Sequence, residues 1–332
     1  MLITLFVIVG LALIFDFING FHDTANAIAT SISTRALTPR IAIFYAATLN
    51  FVGAVISSEV AKTVGGKVAN PATIPHGVEI LIAALLTAIL WNLITWYYGI
   101  PSSSSHTLIG ALAGSVISGA GFSALNWDGF KEIVIILVLS PIIAFGSGFI
   151  IMFIIRSIVL AKANQSRSKM NNMFRTFQIF SAGLLSLSHG GNDAQKAMGI
   201  MVFALVTTGY QTTLDVPMWV KLSAATAMGL GTSIGGYRII KTMSSKLLKI
   251  EPINGFASDL NSSIIIQAST ALGMPLSTTH VISSSIIGTG TVMRFHDVKW
   301  STVSKMVMTW IITIPISMVF SFFIYKVIVF FM

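Results

Sequence analysis

Apolar runs of about twenty residues fill most of the chain, with short polar clusters between them. They fall near residues 1–19, 41–58, 79–98, 107–120 and 132–155. After a polar interval they resume at 176–188 continuing into 197–208, then 218–235, 256–272, 280–292 and 303–330. Each run is continuous and does not alternate with period two, so the pattern predicts bilayer-spanning helices and not the strands of a barrel. The 332 residues leave room for about ten to twelve such segments. The first run, Met1 to Phe15, carries no basic residue and no small-residue cleavage site follows it. It is expected to be a transmembrane helix and not a signal peptide.

Composition narrows the class. Charged residues make up 9% of the chain and hydrophobic ones 54%. Soluble domains carry about 25% charged residues, so a water-soluble enzyme or binding module is excluded. The net charge of +9 comes from 20 Lys+Arg against 11 Asp+Glu. In a membrane protein that excess marks cytoplasmic connections, and no nucleic-acid partner is expected. The interval 156–175 holds Arg156, Lys162, Arg167, Lys169 and Arg175 with no acid. Placing it in the cytoplasm puts Arg35, Arg40, Arg238, Lys241, Lys246, Lys249, Arg294, Lys299 and Lys305 there too, and both termini outside. Five crossings per half then make the second half enter inverted relative to the first. The expected organisation is a first transmembrane repeat at 1–155, a basic cytoplasmic linker at 156–175 and a second, inverted repeat at 176–332. Cysteine is absent, so disulfide and thiol chemistry are excluded.

The halves also match in sequence. Gly20-Phe21-His22-Asp23-Thr24-Ala25-Asn26-Ala27 aligns with Gly190-Gly191-Asn192-Asp193-Ala194-Gln195-Lys196-Ala197 at an offset of 170 residues. Gly99-Ile100-Pro101-Ser102-Ser103-Ser104-Ser105-His106 aligns with Gly273-Met274-Pro275-Leu276-Ser277-Thr278-Thr279-His280 at an offset of 174. Two matches in the same order at nearly equal offsets indicate duplication. Inverted repeats with Gly/Pro-interrupted segments at matching places point to a secondary transporter that binds at the repeat interface. The fold expected is therefore all-α and polytopic, with two inverted-topology repeats and broken or re-entrant helices where they meet.

Asp23, Glu59, Asp193, Lys196 and Asp259 lie within or at the edge of apolar runs. A charge at mid-bilayer costs about 2.5–3.5 kcal/mol, so each requires an ion pair, water or a bound ion. The glycine-led Asp motifs are expected to break their helices and expose carbonyls. Asp23, Asn26 and Asp193 would then offer the oxygen ligands that a hard cation such as sodium takes. Each Pro-led Ser/Thr cluster reads as a helix start, where free N–H groups and hydroxyls suit a tetrahedral oxyanion. His22, His106, His189 and His280 sit in the same motifs, as hydrogen-bonding or proton-carrying groups. Metal-binding His spacings and the G-x-S-x-G of a serine hydrolase are missing, so an intramembrane enzyme is not expected.

These motifs resemble the inorganic phosphate transporter (PiT) family. Gly20 to Asn26 is similar to its first signature and Gly191 to Lys196 to its second. Pro101 to His106 and Pro275 to His280 are similar to its P-x-S-x-T/S-H elements. Gly235 to Met243 resembles a further family stretch, with Tyr237 where Trp is usual. The resemblance implies that Asp23, Asn26, Asn192 and Asp193 serve a coupling cation, and that Ser103, Ser104, Ser105, Ser277, Thr278 and Thr279 hold phosphate. It also implies value at Glu59 and at Asp259, where the family tends to have Glu; Lys196, His106 and His280 complete the intramembrane candidates. The activity expected is alternating-access symport of phosphate with sodium or a proton at the cell membrane, without a cofactor. Sulfate, a metal–phosphate complex or a passive anion channel are the alternatives, and homo-oligomerisation is left open.

Overall fold

The computed structural model describes residues 2–161, 167–234, 240 and 247–331. Lys162, Arg238, Lys241, Lys246 and the stretch 235–243 apart from Ile240 lie outside the described residues. The continuous apolar runs become helices, and the described residues contain no strand. The helices are α1 (Leu2–Ser33), α2 (Pro39–Ile56), α3 (Glu59–Gly66), α4 (Gly77–Tyr98), α5 (Ser104–Ala120), α6 (Trp127–Ala161), α7 (Arg167–Thr207), α8 (Met218–Ile234), α9 (Pro252–Ala271), α10 (Thr278–Arg294) and α11 (Trp300–Phe331). Among them α1, α2, α4, α6 and α11 are long and apolar enough to cross a membrane. The large apolar side chains of α6 and α11 face outward, Ile142, Phe153, Ile311 and Phe323 among them, as in a helix bathed in lipid. This is an all-α, multi-pass membrane fold.

Three departures from the sequence reading have simple causes. First, the glycines of the Asp motifs do not break their helices, since α1 and α7 run unbroken through them. They are small because other backbones press on them: a Cβ at Gly20 would lie 2.5 Å from the Met228 carbonyl oxygen, and one at Gly190 would strike the Asn50 backbone. Unwound carbonyls are therefore not supplied at Asp23 or Asp193. Second, the apolar run ending near residue 19 is only part of α1, whose buried polar half continues to Ser33. Third, the basic interval 156–175 is largely helical, because α6 extends to Ala161 and α7 starts at Arg167. Within it Arg156 donates to the Val292 carbonyl, and Arg175 Nε donates to the Thr34 carbonyl at 3.1 Å.

The interruptions fall before the Ser/Thr motifs. Gly99 and Gly273, 174 residues apart, both take a left-handed conformation, φ 65° and 66°, at the ends of α4 and α9. Ile100 N–H donates to the Thr95 carbonyl and Met274 N–H to the Ser269 carbonyl, closing each helix with the same turn. The following helices, α5 and α10, have 17 residues each, about 25 Å at 1.5 Å per residue, which is shorter than the bilayer core. Their first residues are buried, so both start inside the protein. Gly99→Ala and Gly273→Ala place a Cβ in left-handed backbone and are expected to destabilise by about 1–2 kcal/mol each, read as a lowered unfolding temperature of the purified protein.

Packing interlocks the two halves. Helix α1 packs on α4, α7 and α8, while α7 packs on α9, α1 and α2. Helix α5 packs on α4 and α11, and α10 packs on α9 and α6. Exchanging α1 with α7, α2 with α8, α4 with α9, α5 with α10 and α6 with α11 maps these contacts onto themselves. The prolines inside α6 and α11, Pro141 and Pro315, are also 174 residues apart.

Candidate functional site

The unbroken helices α1 and α7 bring the Asp motifs into the interior, and the starts of α5 and α10 bring the hydroxyls to meet them. Asp23, Asn26, Asn192, Asp193, Lys196, Ser103, Ser104, Ser105, Ser277, Thr278, Thr279, His106 and His280 are all at most 3% exposed. The residues expected to hold a cation and those expected to hold phosphate form one sealed cluster.

Asp23 is the hub of the first half. Ser104 Oγ donates to its Oδ2 at 2.6 Å, and Thr279 Oγ1, from the other half, donates to its Oδ1 at 2.9 Å. His22 Nδ1 lies 2.7 Å from the same Oδ1. Its Nε2 is 3.2 Å from Thr95 Oγ1, which donates to the Trp91 carbonyl at 3.0 Å and accepts from Ser102 Oγ at 2.9 Å. The two ring nitrogens of His22 thus link Asp23 to Thr95 at the end of α4. Asn26 Nδ2 donates to Thr279 Oγ1 at 3.0 Å, and its fully buried Oδ1 has no hydrogen-bond partner among the described residues.

Asp193 is the matching hub. Thr278 Oγ1 donates to its Oδ2 at 2.9 Å, Lys196 Nζ pairs with its Oδ1, and His189 Nε2 lies 3.4 Å from Oδ2. Asn192 Nδ2 donates to Thr270 Oγ1 at 2.9 Å. Gln195 Oε1 accepts from the Val60 and Ala61 N–H groups at 2.8 and 3.1 Å, satisfying the start of α3.

The Ser/Thr motifs act as helix caps as well as donors. Ser103 Oγ accepts from His106 N–H at 3.1 Å and Ser277 Oγ from His280 N–H at 3.3 Å. Ser105 Oγ donates to the Leu276 carbonyl at 2.8 Å, tying one motif to the other. The His106 and His280 rings are 4.3 Å apart, and Trp310 stacks on His280 at 4.1 Å. A cavity of about 620 Å³ beyond these rings is lined by Leu137, Ile142, Phe145, Ile311 and other apolar side chains. His106, His280, Ser284, Trp300 and Trp310 also line it, so the cavity is mainly but not wholly apolar.

Two candidates lie elsewhere. Glu59 heads α3 half exposed, paired with Lys62 at 3.1 Å, and does not join the cluster. Asp259 is buried but accepts from Thr30 Oγ1 at 2.8 and 3.0 Å, seven residues or about 10 Å along α1 from Asp23. The sequence reading overlooked Asp16, Asn19, Asn50 and Asn92, all fully buried. Asn50 donates to Thr24 and Thr232 at 3.0 Å each, joining α1, α2 and α8. Asp16 was visible as the one acid in the first apolar run.

A sealed knot of carboxylates and hydroxyls between the two halves of a lipid-facing helical bundle defines a membrane transporter, not an enzyme. A solved structure, the sodium-dependent phosphate transporter, superposes with a TM-score of 0.88, covering 99% of this chain and 100% of that one at 24% identity, and so shares the fold. The chain belongs to the phosphate transporter family, whose profile matches residues 19–321. It is 55% identical over 318 residues to a probable low-affinity inorganic phosphate transporter of Bacillus subtilis (strain 168), covering 96% of this chain and 95% of that one. A protein of the same description from Rhizobium meliloti (strain 1021) is 42% identical over 310 residues, covering 93% and 91%.

Proposed function

We propose that the protein is an inorganic phosphate permease of the plasma membrane that couples phosphate to a cation and works by alternating access. Family membership and the names of the relatives supply the substrate. The observation that carries the coupling is the sharing of hydroxyls: Ser104, Thr279 and Thr278 are the expected phosphate donors, yet each gives its hydrogen bond to Asp23 or Asp193. A bare carboxylate holds these donors and repels an anion. A cation at Asp23 neutralises that charge and frees the hydroxyls to turn toward phosphate, beside the helix starts of α5 and α10. Binding of one ion thus favours the other. The burial of the whole cluster supports a closed state that must open to one side or the other.

The symmetric packing and the repeated offset support an inverted duplication, 1–155 and 176–332, rocking about the cluster. The basic residues of 156–175 support a cytoplasmic location for that interval, with the termini outside. The imidazole of His22 set against the Asp23 carboxylate favours proton coupling, whereas likeness to a sodium-dependent transporter favours sodium. Reconstituted vesicles decide. Labelled phosphate is expected to accumulate above equilibrium when an inward gradient of one of these cations is imposed, and to collapse when that gradient is dissipated. Equilibration without accumulation under both gradients overturns symport in favour of a passive channel. Competition by excess sulfate, or a requirement for a divalent metal, redirects the substrate assignment.

A further inference from the structure

The two Asp motifs align residue for residue, and their seventh places differ in kind: Asn26 in the first half, Lys196 in the second. Both lie three residues after the aspartate, one helical turn on, and so face the carboxylate. At Asp23 the position holds a neutral amide whose oxygen is fully buried and has no hydrogen-bond partner among the described residues. A carboxylate with an unsatisfied amide oxygen beside it is an oxygen ligand set open to a cation. At Asp193 the position holds an ammonium. Lys196 is 1% exposed, and its Nζ is paired with Asp193 Oδ1 while Thr278 occupies Oδ2. An ammonium takes the place against the carboxylate that a small monovalent cation would take, carries the same charge, and cannot leave.

We propose that Lys196 is a tethered replacement for a coupling ion. The Asp193 half-site is neutralised permanently by the protein's own side chain and takes no metal ion, so Asp193 leaves the sodium ligand set expected from the sequence. Exchangeable cation is confined to the Asp23–Asn26 half-site. The duplicated centre is therefore asymmetric in charge: one pole is fixed, and the other is loaded and emptied in each cycle. This rests on the proposed cation at Asp23, but its test counts bound ions and does not require transport.

The probe is 22Na+ binding to the purified protein at saturating sodium. Lys196→Asn restores the pattern of the first half and is expected to bind one more sodium ion per chain than the wild type. The double variant Asp193→Asn/Lys196→Asn removes both charges and is expected to bind the same number as the wild type. An unchanged count in folded Lys196→Asn overturns the proposal, as does loss of an ion in the double variant, which would mean that Asp193 holds sodium in the native protein. Should Lys196→Asn fail to give monodisperse protein, the double variant decides alone. Phosphate accumulation by the wild type is measured separately, so the failure of symport and the failure of this assignment are told apart.

Discussion

Asp23→Asn is expected to bring concentrative phosphate uptake down to the level of protein-free vesicles under either imposed cation gradient, while leaving the protein folded. The carboxylate collects a hydroxyl from Ser104 in its own half, another from Thr279 in the opposite half, and the Nδ1 of His22. An amide of the same shape keeps one acceptor oxygen for these donors. Lost hydrogen bonds to a charged acceptor cost about 1.5–3 kcal/mol, a fraction of the stability of a fold this size. What the amide cannot do is gain and lose a unit of charge. With no negative charge at this place, a cation has nothing to neutralise, and its gradient has no hold on the hydroxyls that would receive phosphate. The measurement is labelled phosphate in vesicles of matched protein content, with monodispersity and unfolding temperature as the check on folding. Undiminished accumulation would remove Asp23 from the coupling site.

The fold was legible to the extent that lipid imposes it. Apolar runs with few charges have one stable form in a bilayer, and the duplicated motifs announced themselves by order and offset. The glycines misled for a physical reason. Glycine suits both a broken helix and a close crossing, and local sequence does not distinguish them; the backbones of Met228 and Asn50 pressing on Gly20 and Gly190 do. The glycines that terminate helices, Gly99 and Gly273, were the ones followed by proline two residues later, which is where a helix cannot readily continue.

The site was legible as a list of residues and illegible as a set of partners. That Thr279 reaches across to Asp23 while its neighbour Thr278 reaches Asp193 depends on how two helix starts from different halves oppose each other, and no spacing within either motif encodes it. Glu59 shows the converse. An acid at the edge of an apolar run reads the same whether it points inward or, as here, heads a short helix beside Lys62 at the surface. Asp16 escaped notice because it sits alone, outside any repeated motif, although a lone acid in a lipid-length run is itself a signal.

Asp193→Asn is expected to act through stability more than through coupling, and the contrast with Asp23 follows from the partner each carboxylate has. Asp23 holds two hydroxyls and an imidazole ring, whereas Lys196 is 1% exposed and pairs with Asp193 alone among the described acids. Removing the carboxylate strands an ammonium in the interior, and breaking a buried pair from one side costs about 3–5 kcal/mol. Against a net stability of about 5–15 kcal/mol, that loss should sharply reduce the yield of folded protein and lower its unfolding temperature by many degrees. The two charges are one structural unit, so removing both leaves nothing stranded. The double variant Asp193→Asn/Lys196→Asn is expected to recover part of the lost stability, since no unpaired charge is then left buried. Thermal unfolding of the wild type, both single variants and the double variant closes the cycle and measures the coupling between the two side chains. Additive losses in the double variant would mean that Lys196 is held by something other than Asp193.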